Sequence, residues 1–178
     1  VQRQPDINHV EEWFQAYADD VYRYARYMLH GLADPRDVVQ EVFLRAIRHE
    51  PSFRHDAKVK TWLLQITRNY VFDLYRKKRT EANYWQLNAP RQNELSVPLD
   101  STLELEDLVA KLKLDWRQVF ILRVVEGLPS DEVATVLGWS EAKVRTTLHR
   151  ALKQLRADVQ SADRNQGAKE SGARHFEA

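Results

Sequence analysis

Apolar positions along the chain recur at three- and four-residue steps, in blocks separated by polar and turn-forming stretches. Phe14, Tyr17, Val21, Tyr24 and Met28 trace one such stripe, which predicts a helix over about residues 10–28. HGLADPRD then breaks the pattern with Gly31 and Pro35. A second helix is expected over about 35–48, facing inward through Val38, Val39, Val42, Phe43, Ala46 and Ile47. Asp34 suits its N-cap and Pro35 its first turn. After the loop EPSFRHDAKVK, a third stripe of Leu63, Ile66, Thr67, Tyr70 and Leu74 predicts a helix over about 60–78.

Periodicity then disappears. TEANYWQLNAPRQNELSVPLDST is polar and carries two prolines, so it reads as a linker. Helices resume near residue 103 with Leu105, Leu108, Val109 and Leu112, and again over about 116–126 with Val119, Phe120, Leu122 and Val125. In SDEVATVLGW, Ser130 is the expected N-cap, and Asp131 and Glu132 favour the positive end of a helix dipole. Val133, Ala134 and Leu137 form the inner face, and Gly138 permits the left-handed turn that ends a short helix. Trp139 plugs that turn, Ser140 caps the next helix, and Val144, Leu148, Ala151, Leu152 and Leu155 carry its apolar stripe as far as Arg156. SADRNQGAKESGARHFEA has no stripe and is expected to be disordered. The fold class is therefore all-α, with no strand signal: two small helical domains joined by a flexible linker. The boundaries are 1–79 for the first domain, 80–102 for the linker, 103–157 for the second domain and 158–178 for the tail.

Composition changes this picture mainly by exclusion. Gly is scarce at five residues, which suits helices, and the 43% hydrophobic fraction is ample for a core. Cysteine is absent, which removes disulfides, thiolate catalysis and cysteine zinc sites together. The six histidines are scattered with no pair at helical ligand spacing, so no metal is expected. No Gly-rich phosphate loop or nucleophile motif occurs, so no catalytic residue and no cofactor is assigned. No apolar run approaches the roughly 18 residues of a membrane span, and no leader pattern is visible, so a cytoplasmic location without membrane insertion is expected. The chain starts at Val1, as a processed or trimmed chain would.

The net charge of +1 hides a local asymmetry. Arg76, Lys77, Lys78 and Arg79 form one basic block, and residues 143–156 form another, while acidic side chains gather near the start and at Glu104, Glu106 and Asp107. Local sign governs docking more than the sum does. A helix-turn-helix needs a small residue where its helices touch, Gly in the turn and a β-branched residue early in the second helix. Ala134, Gly138 and Val144 have that separation. A plain αα-hairpin shares the Gly and the apolar spacing; the basic face is what favours nucleic acid. In that geometry Lys143, Arg145, Thr146, Thr147, His149, Arg150 and Lys153 are candidate contacts to bases and phosphates of duplex DNA.

DPRDVVQEVFLRAIR followed by FRHDAKVKTWLLQITRNYVFDLYRKKR resembles conserved region 2 of bacterial RNA polymerase sigma factors. LDWRQVFILRVVEGLPSDEVATVLGWSEAKVRTTLHRALKQLR resembles their region 4. The two occur in the family order, with no room for a full region 3 between them. That layout is similar to the extracytoplasmic function (ECF, group IV) sigma factors of the sigma-70 family.

The resemblance implies a dissociable initiation subunit that binds core RNA polymerase, directs it to −35/−10 promoters and opens the −10 element, without being an enzyme itself. It implies partners: the β′ clamp helices and β flap of the core polymerase, promoter DNA, and an anti-sigma factor. Asp37, Gln40, Glu41, Leu44 and Arg45 match the clamp-binding helix. Without the family, the same positions read as a solvated helix face. Asn69 matches the position facing a flipped −10 base, and an amide suits Watson–Crick edges. Phe53, Arg54, His55, Asp56, Ala57 and Lys58 would shape that pocket, and Arg76, Lys77, Lys78 and Arg79 would contact phosphates. Trp62 is expected in the core, not as a melting wedge. Lys153, in ALKQLR, stands where many relatives carry an arginine, and GWSEAKV restyles the turn relative to the commoner family form. A stand-alone helix-turn-helix regulator and a polymerase-binding adaptor are the rival readings. The first has no reason to carry DVVQEVFLRA and TWLLQITRN; the second has no use for the basic helix.

Overall fold

The computed structural model describes residues 7–53, 58–88 and 105–173, and among these every regular element is helical. The N-terminal module packs α1 (Ile7–Leu29), α2 (Pro35–His49) and α3 (Val59–Asn88) around one core. Asp34 caps α2 as expected: its carboxylate accepts from the Arg36 backbone N–H at 2.9 Å, and Pro35 occupies the first turn. Val38, Val42 and Ala46 face inward from α2, and Leu63, Leu64, Thr67 and Val71 from α3. The Thr67 hydroxyl is accommodated by donating to the Leu63 carbonyl at 2.7 Å. Burying each of the larger aliphatic side chains stabilises the fold by about 1.5–3 kcal/mol.

The stripe of α1 differs from expectation at one position. Val21, Tyr24 and Met28 are buried, but Phe14 is 47% exposed, and Val10 and Trp13 take the interior places. Adjacent residues on a helix point about 100° apart, and here Trp13 takes the inward position while Phe14 lies at the edge of the buried stripe. Trp13 is selected by an aromatic cluster: its ring lies 5.4 Å from Phe53 and 5.7 Å from Trp62, which are 4.6 Å from each other. Trp62 thus packs internally.

Two helices run beyond their expected ends. α3 does not stop at Lys78 but continues to Asn88, nine residues into the stretch read as linker. The segment 79–88 contains neither Gly nor Pro, so nothing in it breaks the helix. Residues 89–102 of that linker lie outside the described residues. α7 (Glu141–Ala173) likewise extends through 158–173, where disorder was expected. Absence of an apolar stripe argues against burial, not against helix, and residues 158–173 contain three alanines and no proline to break one.

The C-terminal module comprises α4 (Leu105–Lys111), α5 (Leu114–Phe120), a π-helical turn (Ile121–Val125), α6 (Ser130–Leu137) and α7. Val109, Val119, Ile121, Leu122, Val133, Val144 and Ala151 form its core. Leu105, expected inside, is half-exposed. The π turn closes with the Glu126 N–H bonding the Ile121 carbonyl at 2.9 Å, so the helix predicted over 116–126 is not uniform. Ser130 begins α6 without acting as its cap; Pro129 holds that position.

The two modules meet through polar contacts. Glu126, whose side chain has no exposed surface, accepts both Nε and Nη2 of Arg23 at 2.9 Å. Lys60 Nζ approaches the same carboxylate at 3.3 Å, the Glu126 carbonyl at 3.2 Å and Asp20 at 3.1 Å. Burial pushes the Glu126 carboxyl above its ordinary value, against the pull of Arg23 and Lys60. Arg117 Nη1 donates to the Met28 carbonyl at 3.0 Å and to the Tyr75 hydroxyl at 3.2 Å. Arg26 pairs with Glu106 at 2.6 Å.

Candidate nucleic-acid interface

Helices α6 and α7 form a helix-turn-helix. Gly138 adopts φ +66° and ψ +36°, the left-handed conformation anticipated for the turn. Its N–H bonds the Thr135 carbonyl at 3.4 Å, and the Trp139 N–H bonds that of Ala134 at 3.0 Å, the Schellman pairing that satisfies the last carbonyls of α6. Ser140 Oγ accepts the Lys143 backbone N–H at 3.3 Å and so caps α7. The Lys143 ammonium lies 3.6 Å above the Trp139 ring, which holds a cation at the entry of the second helix.

Along α7, Val144, Ala151 and Leu155 are buried, and the opposite flank exposes Lys143, Arg145, Thr146, His149, Arg150 and Lys153. Thr147 is the exception among the expected contacts. It lies three residues after Val144 and four before Ala151, on the inward stripe, and is only 8% exposed. It is packed among the buried side chains of this module. Arg145 pairs with Glu141 at 3.0 Å, and Thr146 donates to the Ala142 carbonyl at 2.9 Å. Among the described residues, neither Arg150 nor Lys153 forms an ion pair, so both charges face solvent.

In the N-terminal module, Asn69 is exposed on α3, and its Oδ1 accepts from Arg68 Nη1 at 3.2 Å. Arg68 in turn lies 4.6 Å over the Phe72 ring. Phe53 sits in the aromatic cluster with Trp13 and Trp62; Arg54, His55, Asp56 and Ala57 lie outside the described residues. Lys58, at the end of that loop, reaches the C-terminal module: its Nζ is 2.5 Å from Glu132 Oε1, and Thr61 donates to Glu132 Oε2 at 2.6 Å. Burial acts to raise the Glu132 carboxyl, but the hydrogen bonds from Lys58 and Thr61 outweigh it, and its pKa falls below the ordinary glutamate value. Lys77, Lys78 and Arg79 are exposed, while Arg76 is bonded to Asp73.

On α2, Asp37, Gln40 and Leu44 are exposed. Glu41 and Arg45 are bound to each other at 2.7 Å, and Arg45 also lies 4.6 Å above the Tyr70 ring, so this pair is partly consumed within the module. The exposed Phe14, stacked edge-on at 5.0 Å against Phe43, adds an apolar element beside Gln40 in a groove also lined by Ala18, Tyr22 and Val39. Periodicity had assigned Phe14 to the core; the stripe continues equally well through Val10 and Trp13, which the structure buries instead.

Residues 13–81 match the family described as Sigma-70 region 2, and residues 102–155 match Sigma-70, region 4. The ECF RNA polymerase sigma factor SigX of Bacillus subtilis is 32% identical over 85% of this chain and 86% of its own length. The ECF RNA polymerase sigma factor SigM of the same organism is 30% identical over 83% of this chain and 93% of its own. The fold is similar to that of the sigma factor RpoE solved with the anti-sigma factor NepR from Bartonella quintana. That match has TM-score 0.69 and 19% identity, covering 84% of this chain and 96% of that one. It is also similar to that of CnrH solved with the cytosolic domain of CnrY, with TM-score 0.67 and 24% identity over 88% and 90% of the two chains. With both sigma regions in order on one all-helical chain, the protein belongs to the ECF RNA polymerase sigma factors, the initiation subunits that direct RNA polymerase to promoters.

Proposed function

We propose that the chain acts as a group IV member with its labour divided between modules: α7 reads the −35 element as duplex, and α3 with the preceding loop captures the −10 strand. The observation that carries this reading is the flank of α7 on which Lys143, His149, Arg150 and Lys153 stand exposed while Val144 and Ala151 anchor the helix behind them. Groove-facing cations beside a packed seam are what major-groove insertion requires. Asn69 stands exposed on α3, where an amide can meet a flipped base, and Lys77, Lys78 and Arg79 extend the same helix toward phosphates. Core polymerase docks through its β′ clamp helices on Asp37, Gln40 and Leu44 with Phe14, and through its β flap on the C-terminal module. The chain catalyses nothing; phosphoryl transfer remains with the polymerase, in the cytoplasm. An anti-sigma partner is supported by the company in which RpoE and CnrH were solved.

Two modules on one chain gain avidity only when both sites are held in register, so each alone binds DNA poorly. The test is reconstitution with core polymerase on a library of promoter fragments. Discrete transcripts that require this chain support the reading, and Arg150→Ala should reduce them most on promoters with a strong −35 element. Retarded DNA without polymerase, and no transcripts with it, would replace the reading with a stand-alone regulator.

A further inference from the structure

The exposed face of α7 is not uniformly basic. Counting about 100° per residue from the buried Val144, the positions that point away from the core at the start of the helix are Ala142 and Thr146, each within about 20° of straight outward. Both are exposed. The cations stand aside from this line: Lys143 and Arg150 lie about 60–80° to one side of it, and Arg145 and Arg156 about as far to the other. Two of the four are held in place there. The Lys143 ammonium rests 3.6 Å above the Trp139 ring, and Arg145 pairs with Glu141 at 3.0 Å. Thr146 turns its hydroxyl back onto the helix, donating to the Ala142 carbonyl at 2.9 Å. It therefore has no proton left for a base acceptor, and it carries a methyl group beside that engaged oxygen.

The second helix of a helix-turn-helix puts its first turns nearest the base edges and its flanks beside the two sugar-phosphate walls. The cations on the two flanks of α7 therefore suit phosphates of opposite strands. The leading line between them offers two methyl groups one helical turn apart. Their Cβ atoms are separated by about 5–6 Å, which reaches neighbouring base pairs stacked at about 3.4 Å. Base edges in the major groove are lined with hydrogen-bonding atoms, and the one apolar group among them is the 5-methyl of thymine, for which Ala and Thr methyls are the natural partners. Guanine, which presents two acceptors, finds no free proton on Ala142 or Thr146.

We propose that Ala142 and Thr146 are specificity-determining residues that read thymine 5-methyl groups at neighbouring pairs of the −35 duplex, between flanks that hold phosphates. This rests on the proposed function, which assigns α7 to that element, and adds which feature of the bases the helix selects. Discrimination at the tip of α7 is then made by hydrocarbon contact, while attraction to the duplex is made by the flanking charges. Salt weakens binding to all sequences alike through the phosphate contacts, and the preference for thymine persists.

The experiment compares promoters that differ by single methyl groups. Holoenzyme assembled from core polymerase and the full chain is titrated with promoter DNA in which each thymine of the −35 element, on either strand, is replaced in turn by uracil. Two neighbouring positions should lose about fourfold in affinity, the ratio that one methyl-sized contact supplies, and the others should lose nothing. Thr146→Ser removes the methyl and keeps the hydroxyl with its bond to the Ala142 carbonyl. It should bind the parent promoter about fourfold more weakly and no longer distinguish thymine from uracil at one of the two positions. Ala142→Gly should do the same at the other; any loosening of the helix weakens both duplexes equally, so the thymine-to-uracil ratio is the readout. A single sensitive position, abolished by one variant alone, keeps that residue and strikes the other. No sensitive position, or a sensitivity that survives in both variants, would overturn the methyl reading while leaving α7 on the −35 element. Replacement of the whole −35 element without loss of holoenzyme affinity would remove that assignment and this inference together.

Discussion

The hydroxyl of Tyr24 gives a sharp test of the packing argument. Tyr24 is fully buried in the N-terminal core, and its oxygen has no hydrogen-bond partner among the described residues. Burial pushes its phenol far above the ordinary range, with a nearby Arg68 pulling only weakly the other way. An unpaired buried hydroxyl costs about 1–3 kcal/mol in lost hydration. Tyr24→Phe removes that oxygen and keeps the ring. The void left behind is on the order of 10 Å³, which at about 24 cal/mol per Å³ returns only about 0.2 kcal/mol. The substitution should therefore stabilise the N-terminal module by about 1–2.5 kcal/mol. Two modules need not melt together, so a single midpoint for the chain would blur the effect. Urea unfolding read through amide exchange within α1 isolates it: protection should rise, with an unchanged dependence on urea. A variant less protected than the parent would refute the reasoning, since the hydroxyl would then have to make a bond worth more than its burial costs.

Three further outcomes follow from particular sites. Gly138→Ala meets no atom within 4 Å, so its cost is backbone strain alone at φ +66°, about 1 kcal/mol; thermal unfolding of the C-terminal module should shift accordingly, and an unshifted curve would remove the left-handed turn from the account. Phe14→Ala should weaken core-polymerase binding several-fold in titration while leaving stability nearly unchanged, because the ring is half-exposed; equal losses of both would return Phe14 to the core. The Asp34 carboxyl is held below its ordinary value of 3.8 by the Arg36 side chain and then the Arg36 backbone N–H. A depressed acid contributes stability that is complete above 3.8 and is lost as pH falls through the lowered value. Its NMR titration midpoint should accordingly lie below 3.8 and rise part of the way back in Arg36→Ala, where the backbone bond survives; a midpoint unmoved by that change would assign the depression to another cause.

Periodicity read the helix count and the inward faces of α2 and α7 correctly, because those stripes are long and each step of three or four residues restates the same answer. It could not choose between Trp13 and Phe14, since both continue the α1 pattern and the decision lies in Phe53 and Trp62, distant in sequence. It missed Thr147 for the opposite reason: a polar side chain on an apolar stripe was taken for a contact when its position already placed it inside. The ends of α3 and α7 were missed because polarity was equated with irregularity. The polar contacts between the modules were illegible altogether. Arg23 and Glu126 are separated by 103 positions, and nothing local marks an acidic residue after a buried helix as the partner of an arginine in the other module.

The π-helical turn at Ile121–Val125 is a matter of phase. Five residues there complete what an ordinary helix would complete in about four, so everything downstream enters its module rotated by the equivalent of one residue, about 100°. Deleting a single position within that turn would restore regular winding and swing Glu126 a quarter-turn or more away from Arg23, while leaving the helix-turn-helix itself intact. A whole-molecule posture is thereby set by one surplus amino acid, and a lineage could alter it by indel alone, without substituting any residue of α6 or α7.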